Sequence, residues 1–164
     1  MSESGVRVET IGPDDWRTWR DLRLASLLDA PAAFGSTYEQ WRDADETRWR
    51  ARLEAPGVLM VARLDDEPVG TAGGFFPSSS EAELISMWVA PAGRGRGVGD
   101  ALVEAVLAWA RRQAAPAIGL WVAEGNAPAE ALYARHGFLH TGRRQPLPSQ
   151  SGVEEIAMRR SLVS

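Results

Sequence analysis

Cysteine is absent from the 164 residues. That excludes a disulfide framework, a thiolate zinc site and a cysteine nucleophile. Positive charge is in deficit as well: 18 basic against 22 acidic side chains gives a formal charge of −4. A nucleic acid or an anionic membrane is therefore disfavoured as the main partner, and any anion-binding site has to be local. The N-terminus "MSESGVRVET" lacks the basic and apolar regions of a secretory signal. No apolar run approaches the ~20 residues that span a bilayer. The expectation is a cytoplasmic protein with no membrane partner. Internal repeats and linkers are missing too, so residues 1–164 read as one domain. What remains is ordinary globular composition, 45% hydrophobic and 24% charged.

The hydropathy pattern alternates between strand and helix periods. "VRVETI" (6–11) alternates as a strand. Pro13, Asp14 and Asp15 suit a first helical turn, and Trp16, Trp19, Leu22 and Leu27 form the apolar stripe of a helix stopped by Pro31. "AFGSTYEQW" reads as irregular, and "DADETRWRARLEAPG" as a second, charged helix. "VLMVARL" and "PVGTAGGFF" form a hairpin across the turn "DDEP", and "SSSEA" is the next turn. Strand 83–90 is mostly apolar and therefore central. A helix at 98–113, a strand at 117–123 and a short helix ending at Gly137 follow. Two last strands flank a Pro/Ser loop at 146–152. This order predicts an α/β domain with a mixed, mostly antiparallel sheet of about seven strands and about four flanking helices.

The stretch "GRGRGVGDALVEAVLAWARR" (93–112) sets four glycines and two arginines at the mouth of a helix. Orphan N–H groups at a helix start attract anions, and glycine lets the backbone approach a phosphate closely. Arg94 and Arg96 add charge-assisted donors. The stretch reads either as a pyrophosphate cradle or as a tight loop with solvent-facing arginines. A Walker A loop needs Gly-Lys-Ser/Thr, which is missing after these glycines. The spacing of Gly95, Gly97 and Gly99 is G-x-G-x-G, not the dinucleotide-binding G-x-G-x-x-G.

A different pattern matches. "RGRGVG" fits Q/R-x-x-G-x-G/A as Arg94, Gly97 and Gly99. "NAPAEALYARHGF" (126–138) fits N-x-x-A-x-x-L-Y-x-x-x-G-F as Asn126, Ala129, Leu132, Tyr133, Gly137 and Phe138, after an L-x-V strand carrying Leu120 and Val122. Together these resemble the acetyl-CoA motifs of the GCN5-related N-acetyltransferase (GNAT) superfamily. The resemblance implies a GNAT-like domain in which strands 83–90 and 117–123 splay apart. Main-chain groups at Met87 and Val89 would hold the pantetheine arm. The N–H groups of Gly95, Arg96, Gly97, Val98 and Gly99, with the Arg94 and Arg96 side chains, would take the pyrophosphate. Asp100 sits beside the phosphates and is expected to point away. Acetyl-CoA is the implied co-substrate and no metal is implied.

The implied chemistry is amine attack on a thioester, with no cysteinyl intermediate available. Tyr133 matches the family's general acid; packing on the core is its other reading. Asn126 contacts the cofactor arm, caps its helix, or does both. Glu83 lies where some members carry the base, with a solvent carboxylate as the plainer reading. Other members carry a glutamate after the leucine of L-x-V, and here that residue is Trp121. Glu124 is close in sequence but unmatched, and ordered water is a further proton route. His136 and His140 read as structural, as do Trp109, Trp16 and Trp19. On the acceptor side the resemblance points to segments 27–49 and 143–153. Phe34, Tyr38 and Trp41, beside Glu39, Asp43, Asp45 and Glu46, are the candidates there for holding a small-molecule or peptide amine. A homodimer is compatible with the resemblance. The alternative to an enzyme is a non-catalytic acyl-CoA-binding or sensing domain.

Overall fold

The computed structural model describes residues 5–78 and 80–163. Ser79, within the turn read from "SSSEA", and the first four residues of the N-terminal strand region lie outside the described residues. Seven strands form one sheet: β1 (Val6–Ile11), β2 (Val58–Leu64), β3 (Glu67–Phe75), β4 (Ala82–Val89), β5 (Ala117–Ala123), β6 (Leu139–Pro146) and β7 (Glu154–Ser161). Their spatial order is β1-β2-β3-β4-β5-β7-β6. Only β4 and β5 are parallel. Every other neighbouring pair is antiparallel. The β2–β3 hairpin turns at Asp65 and Asp66, both in the left-handed region (φ 50° and 72°), as a tight hairpin turn requires.

Among the described residues five α-helices flank the sheet: α1 (Trp16–Asp29), α2 (Tyr38–Trp41), α3 (Glu46–Glu54), α4 (Val98–Arg112) and α5 (Ala127–Arg135). The four longer ones are those read from the sequence. The single turn α2 falls in the stretch read as irregular. It forms because Thr37 and Gln40 cap one another: the Gln40 N–H donates to Thr37 Oγ1 and the Thr37 N–H to Gln40 Oε1. Pro13 to Asp15 form a 3-10 turn ahead of α1 rather than its first α-helical turn.

The sheet divides two apolar cores. Met60, Ala62 and Leu64 point toward α4, where they meet Val98, Leu102, Val106 and Trp109. Leu59 and Val61 alternate to the other face and meet Trp16, Trp19 and Leu27 of α1 and Trp49 of α3. Trp16, Trp19 and Trp109 are thus core residues, as the helical stripes imply. Helix α4 lies close because β3 offers it glycine: a Cβ on Gly74 would stand 2.6 Å from the Trp109 ring. Among the described residues no helix is long and apolar enough to cross a membrane.

Candidate active site

The site begins as a defect in the sheet. Strands β4 and β5 pair only at Ala82–Ile118 and Glu83–Gly119, then separate. On its other edge β4 bulges. Thr71 pairs with Trp88 and Gly73 with Ile85, so Ser86 and Met87 together face Ala72. Ser86 takes φ 58°, a strained value for a residue with a side chain. The fully buried Thr71 hydroxyl holds it there by donating to the Ser86 carbonyl at 2.7 Å. The kink turns the end of β4 away from β5 and leaves its β5-facing backbone without a strand partner from Ile85 to Val89.

A cleft of about 420 Å³ fills the gap. Met87, Trp88 and Val89 line one wall, and Asn126, Leu132 and Tyr133 line the other. Asn126 is the cap of α5; its side chain accepts from the Ala129 N–H at 3.4 Å. Tyr133 is buried, 6% exposed, and edge-on to Phe138 with ring centres 5.9 Å apart. Burial pushes its phenol well above the usual tyrosine value, so the hydroxyl keeps its proton.

The cleft runs on to the loop before α4, where a second hollow of about 400 Å³ is lined by Gly95, Gly97, Gly99 and Asp100. Gly95 and Gly97 have φ 74° and 82°, and a Cβ on either would meet nothing within 4 Å. Glycine is required there by conformation, and space lies in front of it. Ala101 is the first residue of α4 whose N–H finds a helical acceptor, Gly97 O at 3.0 Å. The N–H groups from Gly95 to Asp100 are left for another acceptor. Val98 itself is core, 1% exposed, so only its backbone serves the loop.

The two arginines of this loop differ. Arg94 bends back: its Nε donates to Val89 O at 3.1 Å and its Nη2 to Asp29 at the end of α1. Trp88 Nε1 donates to the same carboxylate at 3.0 Å. The Trp88 bond, then Arg94, holds the Asp29 carboxyl below its usual pKa. Arg94 therefore locks α1 to the β4–α4 loop, and Arg96 is the exposed cation left over. Asp100 lines the hollow but is claimed by Arg135 at 3.1 Å and His136 at 2.8 Å. His136 caps the end of α5 and also meets Glu104 at 2.7 Å, a structural role. His140 faces Glu130 at 3.4 Å.

Beside the cleft, on the sheet face toward α1 and α3, lies a third cavity of about 410 Å³, which shares Ala33, Phe34 and Trp121 with the cleft. Glu83 and Glu155 stand in its wall with Gln145, and Gln145 donates to Glu155 at 2.6 Å. Burial, and then Glu155, raise the Glu83 pKa above the usual carboxylate value. Segments 31–36 and 147–153 meet at its rim, where the Ser149 hydroxyl donates to Phe34 O.

Of the aromatic acceptor-side candidates, Phe34 lines this cavity. Tyr38 and Trp41 are placed elsewhere, half-buried against the α1–α3 core. Trp41 packs against Trp49 with ring centres 4.8 Å apart and the planes tilted by 40°, and the Arg48 guanidinium lies 4.0 Å from a Trp41 ring centre. The carboxylates beside them are engaged too: Glu39 and Asp43 by Arg42, Glu46 by Arg50, and Asp45 as the cap of α3. Sequence reasoning missed Arg23, Arg52, Gln145 and Glu155, which all line the cavity. Arg23 did leave a signal: it falls on the apolar stripe of α1, four residues after Trp19 and four before Leu27.

A splayed parallel strand pair, a glycine-lined helix start beyond it and a buried tyrosine inside it together form one elongated cleft. The model of the acetyltransferase (GNAT) family matches residues 16–138, and the chain belongs to that family. A mycothiol acetyltransferase from Salinispora arenicola is 32% identical over 136 residues, covering 77% of this chain and 42% of that protein. The chain spans less than half the length of the mycothiol acetyltransferases it matches. A GCN5-related N-acetyltransferase from Kribbella flavida superimposes with a TM-score of 0.78 at 25% identity, covering 98% of this chain and 100% of that one. A structure from Salmonella typhimurium described as an acetyltransferase with its cofactor acetyl-CoA gives a TM-score of 0.80 at 19% identity, over 98% and 95% of the two chains. At that identity it supports the fold.

Proposed function

We propose that residues 1–164 are one cytoplasmic domain that catalyses acetyl transfer from acetyl-CoA to a primary amine, by direct attack in a ternary complex. The observation that carries this reading is the gap between β4 and β5, open beyond Glu83–Gly119. The residues present fit the donor. Backbone at Met87 and Val89 that has no β5 strand partner suits the amide-bearing arm as an added strand would, although the Val89 carbonyl already accepts from Arg94 Nε. The free N–H groups from Gly95 to Gly99, at the positive end of α4, suit a pyrophosphate. Arg96 supplies the loose charge, and Arg94 acts mainly by holding the loop against Asp29. Bound acetyl-CoA supplies the activated acetyl group.

The chain's own residues divide the rest. A main-chain N–H at the bulge polarises the carbonyl that receives the amine, in the manner of an oxyanion hole. Tyr133 keeps its proton because it is buried, and it gives that proton to the departing sulfur. Glu83 stands in the neighbouring cavity and takes the amine's proton, directly or through water. Its raised pKa brings it closer to neutrality, where a base works best. Phe34 and Trp121, common to both cavities, wall the passage where amine and carbonyl meet.

Incubation with acetyl-CoA and pooled amines, read by free thiol release and product mass, tests the reading. Amine-dependent release with an acetylated product is expected. Binding of acetyl-CoA without transfer to any amine would instead mark a sensing domain.

A further inference from the structure

Among the described residues, Arg23 and Arg52 of the cavity beside the cleft have no ion-pair partner. Arg23 projects from α1 with its guanidinium 4.7 Å from the Phe34 ring centre. Its Nη1 is buried without a hydrogen-bond partner. Burial, and then the charge of Arg52, lower its pKa to about 10. Arg52 projects from α3 into the same cavity, and burial lowers it too, with no carboxylate to offset the effect. On the same helices Arg20 pairs with Asp21 and Arg50 with Glu46, both at the surface. A stem that merely snorkels would leave its nitrogens wet. Arg23 does the opposite and buries an unsatisfied donor, which is costly unless something else satisfies it.

The same cavity holds Glu83 and Glu155. Each carboxylate adds to the other's field, and no cation offsets either at Glu83. The wall thus carries two positive and two negative groups that do not pair with one another. A polyamine would leave the arginines unmatched and meet their repulsion. A neutral amine would leave the two guanidinium charges unmatched. A ligand bearing its own anion and amine matches both ends, and about 410 Å³ is ample for a small one.

We infer that the acceptor is a small primary amine that carries a carboxylate, its carboxylate held by Arg23 and Arg52 and its amine directed to Glu83 and Glu155. The planar guanidinium fork matches a carboxylate bidentately, and such charge-assisted pairs are the stronger hydrogen bonds. The inference rests on reading this cavity as the acceptor side.

The test is calorimetry with the protein saturated with CoA, using leucine, phenylalanine, glutamate and β-alanine as probes, each against its carboxamide. The α- and β-amino probes separate the two spacings of amine and carboxylate. At least one acid should bind about ten- to a hundredfold tighter than its amide, the range for a hydrogen bond to a charged group. Arg52→Gln, on the more accessible side, should erase most of that preference. Equal binding of acids and amides, or an undiminished preference in Arg52→Gln, would overturn the inference. Acid-selective binding without acetylation of any amine would leave it standing and sink the transferase reading instead.

Discussion

The two hollows beside β4 are built by different means. The cleft toward α5 is made of backbone: a bulge at Ser86, unpaired strand edge to Val89, and a glycine loop whose N–H groups lack acceptors. The neighbouring cavity is made mainly of side chains from α1, α3 and strands β3 to β7. Backbone sites constrain sequence locally, because left-handed φ and close approach demand glycine at fixed spacing. Side-chain sites do not, because their members meet only after folding. A family can therefore hold the first site fixed and vary the second, keeping one donor while changing the acceptor.

The sharpest way to break this division is at Tyr133, the one side chain on the backbone-built side that is asked to do chemistry. Tyr133→Phe keeps the ring against Phe138 and removes the hydroxyl. The rate of the chemical step should fall by about 10²–10⁴, with acetyl-CoA affinity little changed. Pre-steady-state thiol release measures the first, and calorimetry the second.

Glu83 sharpens the comparison from the other side. Its pKa is raised by burial and by Glu155, and a base must be ionised to act. Activity should thus be lost as pH falls through a value above that of an ordinary glutamate. Glu83→Gln should lower kcat/KM by about 10²-fold at neutral pH and remove that acid limb from the profile. The same shift has a consequence for stability. The folded chain binds a proton that the unfolded chain has already released, so stability falls as pH rises through this window. Melting temperature against pH, native beside Glu83→Gln, reads it directly.

The smallest effect is one of opposite sign. Arg23→Met keeps the stem and removes a buried donor with no partner. It also gives up the contact with Phe34, so the net gain is about 1 kcal/mol, or about 2–4 °C in Tm. A lower melting temperature would mean that Arg23 is held for packing.

Legibility followed the same division. The helix start at Gly97 and the α5 motif from Asn126 to Phe138 could be read as local patterns with a backbone cause, whereas the splaying of strands 83–90 and 117–123 came only with the family resemblance that those motifs carry. The one-turn α2 escaped notice because it rests on a reciprocal cap at Thr37 and Gln40, not on a hydrophobic period. Arg94 read as a phosphate ligand, yet its side chain crosses to Asp29, 65 residues earlier. Spacing carries no sign of that partner. Arg52, on the face of α3 that also carries Trp49, reads as an ordinary surface charge until the cavity is seen.

The central claim is that the donor is held by main chain around Gly97. It is tested most directly by titrating acetyl-CoA into the native protein and into Gly97→Val, with circular dichroism and melting as controls for folding. Valine would force a β-branched residue to φ 82° and place its methyl groups in the open space before the free N–H groups. The account predicts saturable binding to the native chain and at least about tenfold weaker binding to a folded Gly97→Val. Equal affinity in the two folded proteins would contradict it.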